Sequence, residues 1–411
     1  MTALLRGYGA LTRVALPFVA RTERRKLTEA GMADRFREKL GHASVPRPEG
    51  KLLWVHAASV GESLSALALI GRLTSRAQVL LTTGTTTSAT LMGKRLPDGA
   101  IHQFAALDAP GPVKRFLDHW RPDAALFVES DLWPNSLQAI AQRSIPLALV
   151  NARLSEGSLA GWQKRPASAR AVLKNFRLIL TQNQPLAVAL KNLGAPVTRA
   201  AQNLKSMAAA LPVDGALADL VPPKSWVAAS THPGEEELML NAHAMVLEQH
   251  PRATLILVPR HPERGDEVAE LIAKRGWPVS RRNAGDGPEG PVWLVDTLGE
   301  LGALYSAAPI VFLGGSLAQI GGHNPYEPAQ AGAAIISGPH VFNFPDAFAD
   351  FERRKAVQTV TNVQTLANTV ANMMTHPPLL YARREASKDI AKAQKQGLDE
   401  IETALIEALE L

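Results

Sequence analysis

A chain of 411 residues is too long for one ordinary hydrophobic core, and two α/β domains are its natural division. Apolar residues at 46% and charged residues at 20% exclude a disordered chain, while the absence of cysteine excludes a disulfide framework or thiolate metal site and suits a reducing compartment. The net charge of +6 is concentrated: residues 1–41 hold nine Lys or Arg against four acids, so the remainder is nearly neutral.

This basic arm, residues 1–41, points to an anionic partner, either nucleic acid or a membrane surface. Leu4, Tyr8, Leu11, Ala15 and Phe18 recur at helical spacing with Arg6 and Arg13 on the other side, followed by Arg21, Arg24, Arg25 and Lys26. That is the pattern of an interfacial helix, weakened by Gly7, Gly9 and Pro17. The competing reading is an N-terminal helix packed on its own domain. No run here reaches the roughly 20 apolar residues of a membrane span, and no small-residue cleavage site marks a secretory signal. Nucleic acid is disfavoured, because it asks for basic and aromatic residues interleaved over a surface, whereas aromatics are only 5%.

From Leu52 to Asn203 strand and helix alternate. Apolar runs at 52–57, 77–83, 124–128, 146–150 and 178–181 have the length and continuity of buried parallel strands, with helical stretches such as 62–73, 111–119 and 133–143 between them. Such alternation predicts a doubly wound sheet. A second series begins at Trp226 and continues through 253–258, 291–295, 309–313 and 333–336. Prolines 212, 222 and 223 punctuate the connector between the series. The expected division is therefore an arm at 1–41, a first domain at 42–212, a second at 213–381, and a helix at 382–411 packing back toward the first. Residues 362–411 read as helix broken at His376-Pro377-Pro378.

The stretch from Leu313 to Pro328, LGGSLAQIGGHNPYEP, follows an apolar run and carries its glycines in two pairs. Paired glycines after a strand let backbone approach a ligand. Asn324 and Pro325 are a helix start signal, a capping side chain and then a proline at the first helical position. A glycine loop beside a helix N-terminus suits a phosphate or polar sugar groups. Glu327, in the first turn, would repel phosphate and is suited to accepting hydrogen bonds from ligand hydroxyls. The alternative is a tight turn before a capped helix.

After the first strand comes HAASVGE (56–62), where a dinucleotide fold needs GxGxxG and only Gly61 is present, so a dehydrogenase is disfavoured. Glu62 heads a helix, either as a carboxylate matched to the helix dipole or facing the ligand side. His232 and His323 suggest a metal, yet neither has another ligand at a characteristic spacing, and no metal is expected.

These stretches together resemble the Kdo transferases, enzymes that add 3-deoxy-D-manno-octulosonic acid (Kdo) to lipid A precursors. The resemblance rests on VHAASVGES (55–63), VESDLWPN (128–135), NARLS (151–155), ASTHPGEEE (229–237), VPRHPER (258–264), DTLGEL (296–301), LGGSLAQIGGHNPYEPA (313–329) and GPHVFNF (338–344), in the family's order. It implies a GT-B fold, two Rossmann-like domains facing a cleft, and an inverting transfer of Kdo from CMP-Kdo, a substrate rather than a cofactor. It implies catalytic roles for Glu62 as general base, Glu129 as acceptor-orienting or charge-assisting carboxylate, and Lys205 as a stabilising cation, with Ser59 and Gly61 on the acceptor side. For CMP it implies Pro259, Arg260, His261, Leu298, Gly299, Glu300, Gly315, Ser316, Asn324, Pro325, Tyr326 and Glu327. The implied partners are a lipid A precursor and an anionic membrane surface at the cytoplasmic face of a bacterial inner membrane, in peripheral or monotopic attachment; no oligomeric state is implied. The chain departs from the family's pattern before Asn203, after Lys205, at Tyr326 and at Gly84. Another GT-B transferase or a sugar-nucleotide epimerase using a different nucleotide sugar is the alternative.

Overall fold

The computed structural model describes all residues except 1, 130, 131 and 208–210, and of Lys205 the backbone alone. The chain divides into two compact units, residues 1–208 with 395–411, and residues 209–394.

The first unit is built on seven parallel strands: β1 Leu52–His56, β2 Gln78–Thr83, β3 Ala100–Phe104, β4 Ala124–Val128, β5 Leu147–Ala152, β6 Leu178–Thr181 and β7 Thr198–Ala200. Their order is β3-β2-β1-β4-β5-β6-β7. The central strands β1, β4 and β5 are buried along their whole length because helices cover both sheet faces. One face packs Leu53, Val79, Leu126 and Val150 against the helix Val60–Leu73; the other packs Trp54, Leu80, Phe127 and Leu149 against Phe116 and Ile140. The order reverses between β1 and β4, where His56 pairs with Phe127. At such a reversal the loops leaving the two strands turn to opposite faces and leave a crevice for ligands.

The second unit repeats the plan with β8 Ser225–Thr231, β9 Thr254–Pro259, β10 Ser280–Arg281, β11 Val292–Leu294, β12 Ile310–Leu313, β13 Ala334–Ser337 and β14 Val357–Thr359. Their order is β10-β11-β9-β8-β12-β13-β14, with the reversal between β8 and β12, where Ala229 pairs with Leu313. Each predicted strand is present. Those missing from the sequence reading, β3, β7, β10 and β14, are the four sheet edges, where half-exposed residues break the apolar run.

The N-terminal helix α1, Ala3–Glu29, packs one face on its own unit and leaves the other to solvent. Its inner face docks on the first unit through Leu5 and Leu27, the Thr12 hydroxyl on Asn135 Nδ2 at 3.0 Å, and Tyr8 on Asp108. Burial, then the Asp108 charge, pushes the Tyr8 phenol up to about 12. Its outer face leaves Leu4, Leu11, Val14, Phe18 and Val19 exposed, Phe18 at 76%. Tyr8 and Ala15, expected in the exposed stripe, turn partly inward. A partner on the domain, Asp108, decides the matter for Tyr8.

The expected break at Pro377 separates the helix Val363–Thr375 from a last helix, Pro377–Leu409. Leu398, Ile401, Leu405 and Leu409 enter the first unit's core beside Leu53, Leu69 and Leu73. Arg72 pairs with both Asp399 and Glu402 along the same contact. A Cβ at Gly397 would meet Gln202 Oε1 at 2.0 Å, so the two pack closely there.

Candidate active site

Seven non-glycine residues among those described have left-handed backbone. Arg121, Ser144, Lys355 and Glu410 follow helices, an ordinary place for this conformation. Glu129 (φ 61°), Asn151 (φ 57°) and Ser230 (φ 56°) instead stand at the C-terminal ends of β4, β5 and β8. Each costs of order 1–3 kcal/mol and persists only where the surroundings impose it, which marks these strand ends as candidate functional ground.

In the first unit, β1 delivers the turn that carries Glu62. Ser59 caps the helix Val60–Leu73, its Oγ accepting the Glu62 N–H at 3.2 Å. In return Ser59 Oγ donates to Glu62 Oε1 at 2.9 Å, and the Ala58 N–H donates to Oε2 at 2.8 Å. This is a variant of the capping box, so the dipole-matched reading of Glu62 holds in full. The carboxylate is nonetheless half-buried rather than enclosed, and it stands at the sheet's reversal point. Gly61 is exposed beside it.

Glu129 is buried and accepts from Asn151 Nδ2 at 3.4 Å. Asn151 Oδ1 in turn accepts the Leu204 N–H at 3.2 Å, at the start of the short turn Leu204–Ser206 that contains Lys205. Leu204 packs in the same core as Ala66 and Leu69 of the Glu62 helix. Asn151 therefore joins the segments of Glu129 and Lys205, a role the sequence reading did not assign to it. Of Lys205 only the backbone position is placed, and Asp131 lies outside the described residues. Asp108 was also missed; it caps the helix Pro134–Gln142 through the N–H groups of Asn135 and Ser136 at 3.1 and 2.8 Å.

In the second unit the glycine loop does not stand open as an anion cradle. The Glu235 carboxylate, 1% exposed, accepts the N–H groups of Gly315, Ser316, Leu317 and Ala318 at 2.7, 3.1, 3.0 and 3.1 Å. Gly314 does allow a close backbone approach, but to the protein: a Cβ there would meet Ser230 O at 2.3 Å. Gly321 (φ 106°) similarly makes room for Asn343, whose amide donates to Ile320 O at 3.0 Å. Ser316 is fully buried, its hydroxyl donating to Leu313 O and accepting the Gly338 N–H at 2.8 Å.

The short helix Tyr326–Gln330 starts one residue later than predicted: Pro325 occupies the cap position rather than the first turn, and Asn324 Oδ1, one residue before it, accepts the Tyr326 N–H at 3.1 Å. Its amide reaches Glu327 Oε1 at 3.4 Å, while Tyr326 is buried edge-on against Phe351. Pro259 ends β9, and Arg260 follows with its N–H on Thr231 O and its guanidinium exposed. His261 is exposed beside Glu263. His232 and His323 stack with ring centroids 5.3 Å apart and share a 3.1 Å contact between their Nε2 atoms. Burial, then the charges of His232 and Arg260, lowers His323 to about 4, and burial lowers His232 as well. Burial thus favours the neutral form of both rings, and Arg260 adds a permanent cation beside them. Leu298 is 78% exposed, Gly299 has φ 87°, and Glu300 is held by Arg282 Nε at 3.0 Å.

Residues 34–208 match the family model described as 3-Deoxy-D-manno-octulosonic-acid transferase (kdotransferase). Over 407 residues the chain is 36% identical to a probable 3-deoxy-D-manno-octulosonic acid transferase, mitochondrial, of Arabidopsis thaliana, covering 93% of this chain and 91% of that one. It is 32% identical over 397 residues to the 3-deoxy-D-manno-octulosonic acid transferase of Haemophilus influenzae, covering 92% of this chain and 91% of that one. Among solved structures the fold is similar to UDP-GlcNAc 2-epimerase from Neisseria meningitidis (TM-score 0.52, 13% identity, 86% of this chain and 99% of that one). Phytolacca americana UGT2 gives the same TM-score and identity over 88% and 100%. At that identity the likeness concerns the fold alone, and the fold is GT-B.

Proposed function

The chain belongs to the 3-deoxy-D-manno-octulosonic acid transferase family and is a Kdo glycosyltransferase; from that premise we propose that it takes Kdo from CMP-Kdo and places it, with inversion, on a lipid A precursor. The observation that carries the catalytic part is the Glu62 carboxylate, held in one orientation by Ala58 and Ser59 at the sheet reversal of the first unit. In the proposed step Glu62 takes the proton of the acceptor hydroxyl as its oxygen bonds to the anomeric carbon. The bond from that carbon to the phosphate oxygen breaks with its electron pair leaving on CMP, through an oxocarbenium-like transition state. Glu129, fixed by Asn151, would orient the acceptor. Lys205 and Arg260 would offset charge on the reacting sugar and the departing phosphate.

For the nucleotide, Arg260 supplies a charge-assisted contact to phosphate. Leu298–Glu300 and Asn324–Glu327 would meet the cytidine and ribose. Gly315 and Ser316 would support the site through the loop's shape, since their N–H groups are held by Glu235. The step as proposed calls on no metal and no cofactor beyond the CMP-Kdo substrate.

The acceptor's acyl chains would keep it in a bilayer, and the exposed apolar row on α1, with Arg21, Arg24 and Arg25 exposed beyond it, supports peripheral attachment to an anionic membrane surface. Among the described residues no helix is long and apolar enough to cross a membrane. A bacterial inner membrane, on its cytoplasmic face, would supply such a surface.

Mass gain on a lipid A precursor, compared with CMP-Kdo and with UDP-sugars as donor, tests the substrates; gain with UDP-sugars alone would refute them. Glu62→Gln should keep the fold and CMP binding and lose turnover by roughly a hundredfold or more, the scale of a lost general base. Near-normal turnover in the folded variant would remove Glu62 from the step.

A further inference from the structure

Lys39 is a buried cation at the C-terminal ends of β2 and β3, its side chain only 5% exposed. Its Nζ donates to Gly84 O at 2.6 Å, meets Glu23 Oε2 of α1 at 3.2 Å, and lies 5.0 Å from the centre of the Phe104 ring. Gly84 in turn donates its N–H to Ala58 O at 2.8 Å, and a Cβ at this position would stand 3.0 Å from that oxygen. Ala58 is the residue whose N–H holds Glu62 Oε2. One continuous chain of contacts thus runs from α1 through Lys39, the Gly84 backbone and the Ala58 backbone to the Glu62 carboxylate. Burying an ammonium is costly, and removing Lys39 alone would leave the Gly84 carbonyl and the Glu23 carboxylate without their cation, so these groups hold their places through it.

We propose that Lys39 is a positioning residue for the reaction, setting the orientation of Glu62 from the surface helix α1. The proposal deepens the reading above and rests on Glu62 being the base. A carboxylate must stand within hydrogen-bond reach of the acceptor proton, and a displacement near 1 Å costs on the order of a hundredfold in rate. Glu23 belongs to the same device, because it anchors the far side of Lys39 while its Oε1 is held by Lys26 at 2.8 Å.

The test uses the full chain with CMP-Kdo and a lipid A precursor, reading kcat and the KM for CMP-Kdo separately, with thermal melting as the check on folding. Lys39→Met should lower kcat by about tenfold or more while KM for CMP-Kdo stays within about twofold, and Lys39→Arg should recover most of the loss. Glu23→Gln should lower kcat by less. Unchanged kcat in folded Lys39→Met, or equal losses in the Met and Arg variants, would overturn the proposal. If Lys39→Met does not fold, Glu23→Gln decides: full kcat there overturns it. Glu62→Gln in the same assay separates the two claims. An active Glu62→Gln defeats the base assignment and this inference with it, whereas an inactive Glu62→Gln beside a full-speed Lys39→Met defeats this inference alone.

Discussion

The Glu235 carboxylate accepts the Gly315 N–H at 2.7 Å in a buried turn, so an anion of the protein's own fills the place where the glycine pair would cradle a phosphate. Glu235→Gln keeps the shape but aims an NH₂ at N–H donors. It should destabilise the chain by about 2–4 kcal/mol, the scale of lost charge-assisted bonds in a buried site. CMP affinity should fall with it, because the loop leading to Asn324 loosens. Urea unfolding and calorimetric CMP titration read both; unchanged stability would mean that the loop amides are satisfied without the charge.

Arg260 and Asn324 should separate in their effects. Arg260→Ala removes an exposed guanidinium and should weaken CMP binding by about tenfold or more, with the melting temperature unmoved. Asn324→Ala also frees the Tyr326 N–H and the Glu327 contact, so it should lose affinity and stability together. Wild-type CMP affinity in both variants would place the donor elsewhere.

Three histidines, His243 buried and His102 and His323 partly buried, set a pH dependence of stability. Burial holds His102 near 3 and His243 and His323 near 4, well below the ordinary 6.5. Because the unfolded chain binds their protons first, stability is fully present above pH 6.5 and falls as pH drops toward 4, by up to about 1.4 kcal/mol per pH unit for each group. Melting at pH 7, 6 and 5 should show a progressive fall, and His243→Gln should flatten the slope by its share. An identical slope in that variant would remove His243 from the set.

Membrane attachment should respond to the outer face of α1 alone. Deleting the helix would also remove the Tyr8 and Thr12 contacts, so the cleaner change is Leu11→Ser with Phe18→Ser, two residues that the domain does not cover. Co-sedimentation with anionic vesicles should drop for this variant, and salt should release part of what remains bound. Unaltered binding would mean that another surface meets the lipid.

What the sequence displays depends on how local each cause is. Ala124–Val128 reads as a strand because its burial on both faces is written in five consecutive residues, and Glu62 reads as the head of a helix because its partners Ala58 and Ser59 lie within four residues of it. The edge strand Thr198–Ala200 carries no such signal, since solvent faces most of it. Glu235, Glu236 and Glu237 look alike as first-turn acids. Glu235 is set apart by loop amides 80 and more residues away, Glu236 by Arg264, and Glu237 stays exposed. The resemblance supplied the site residues, yet the link from Glu129 through Asn151 to Leu204 depends on three strand and turn ends meeting in space. The pairing of Tyr8 with Asp108 was hidden for the same reason.

The last helix has a consequence for how the protein is made. Leu398, Ile401, Leu405 and Leu409 complete the core of the first unit but leave the ribosome only after the whole second unit has been made. At 5–20 residues per second, the roughly 190 residues in between hold that core open for about 10–40 s. Throughout this interval the nascent first unit exposes the apolar groove around Leu69 and Leu73, a surface suited to chaperone capture. The second unit, with no such debt to later residues, is free to reach its native packing first.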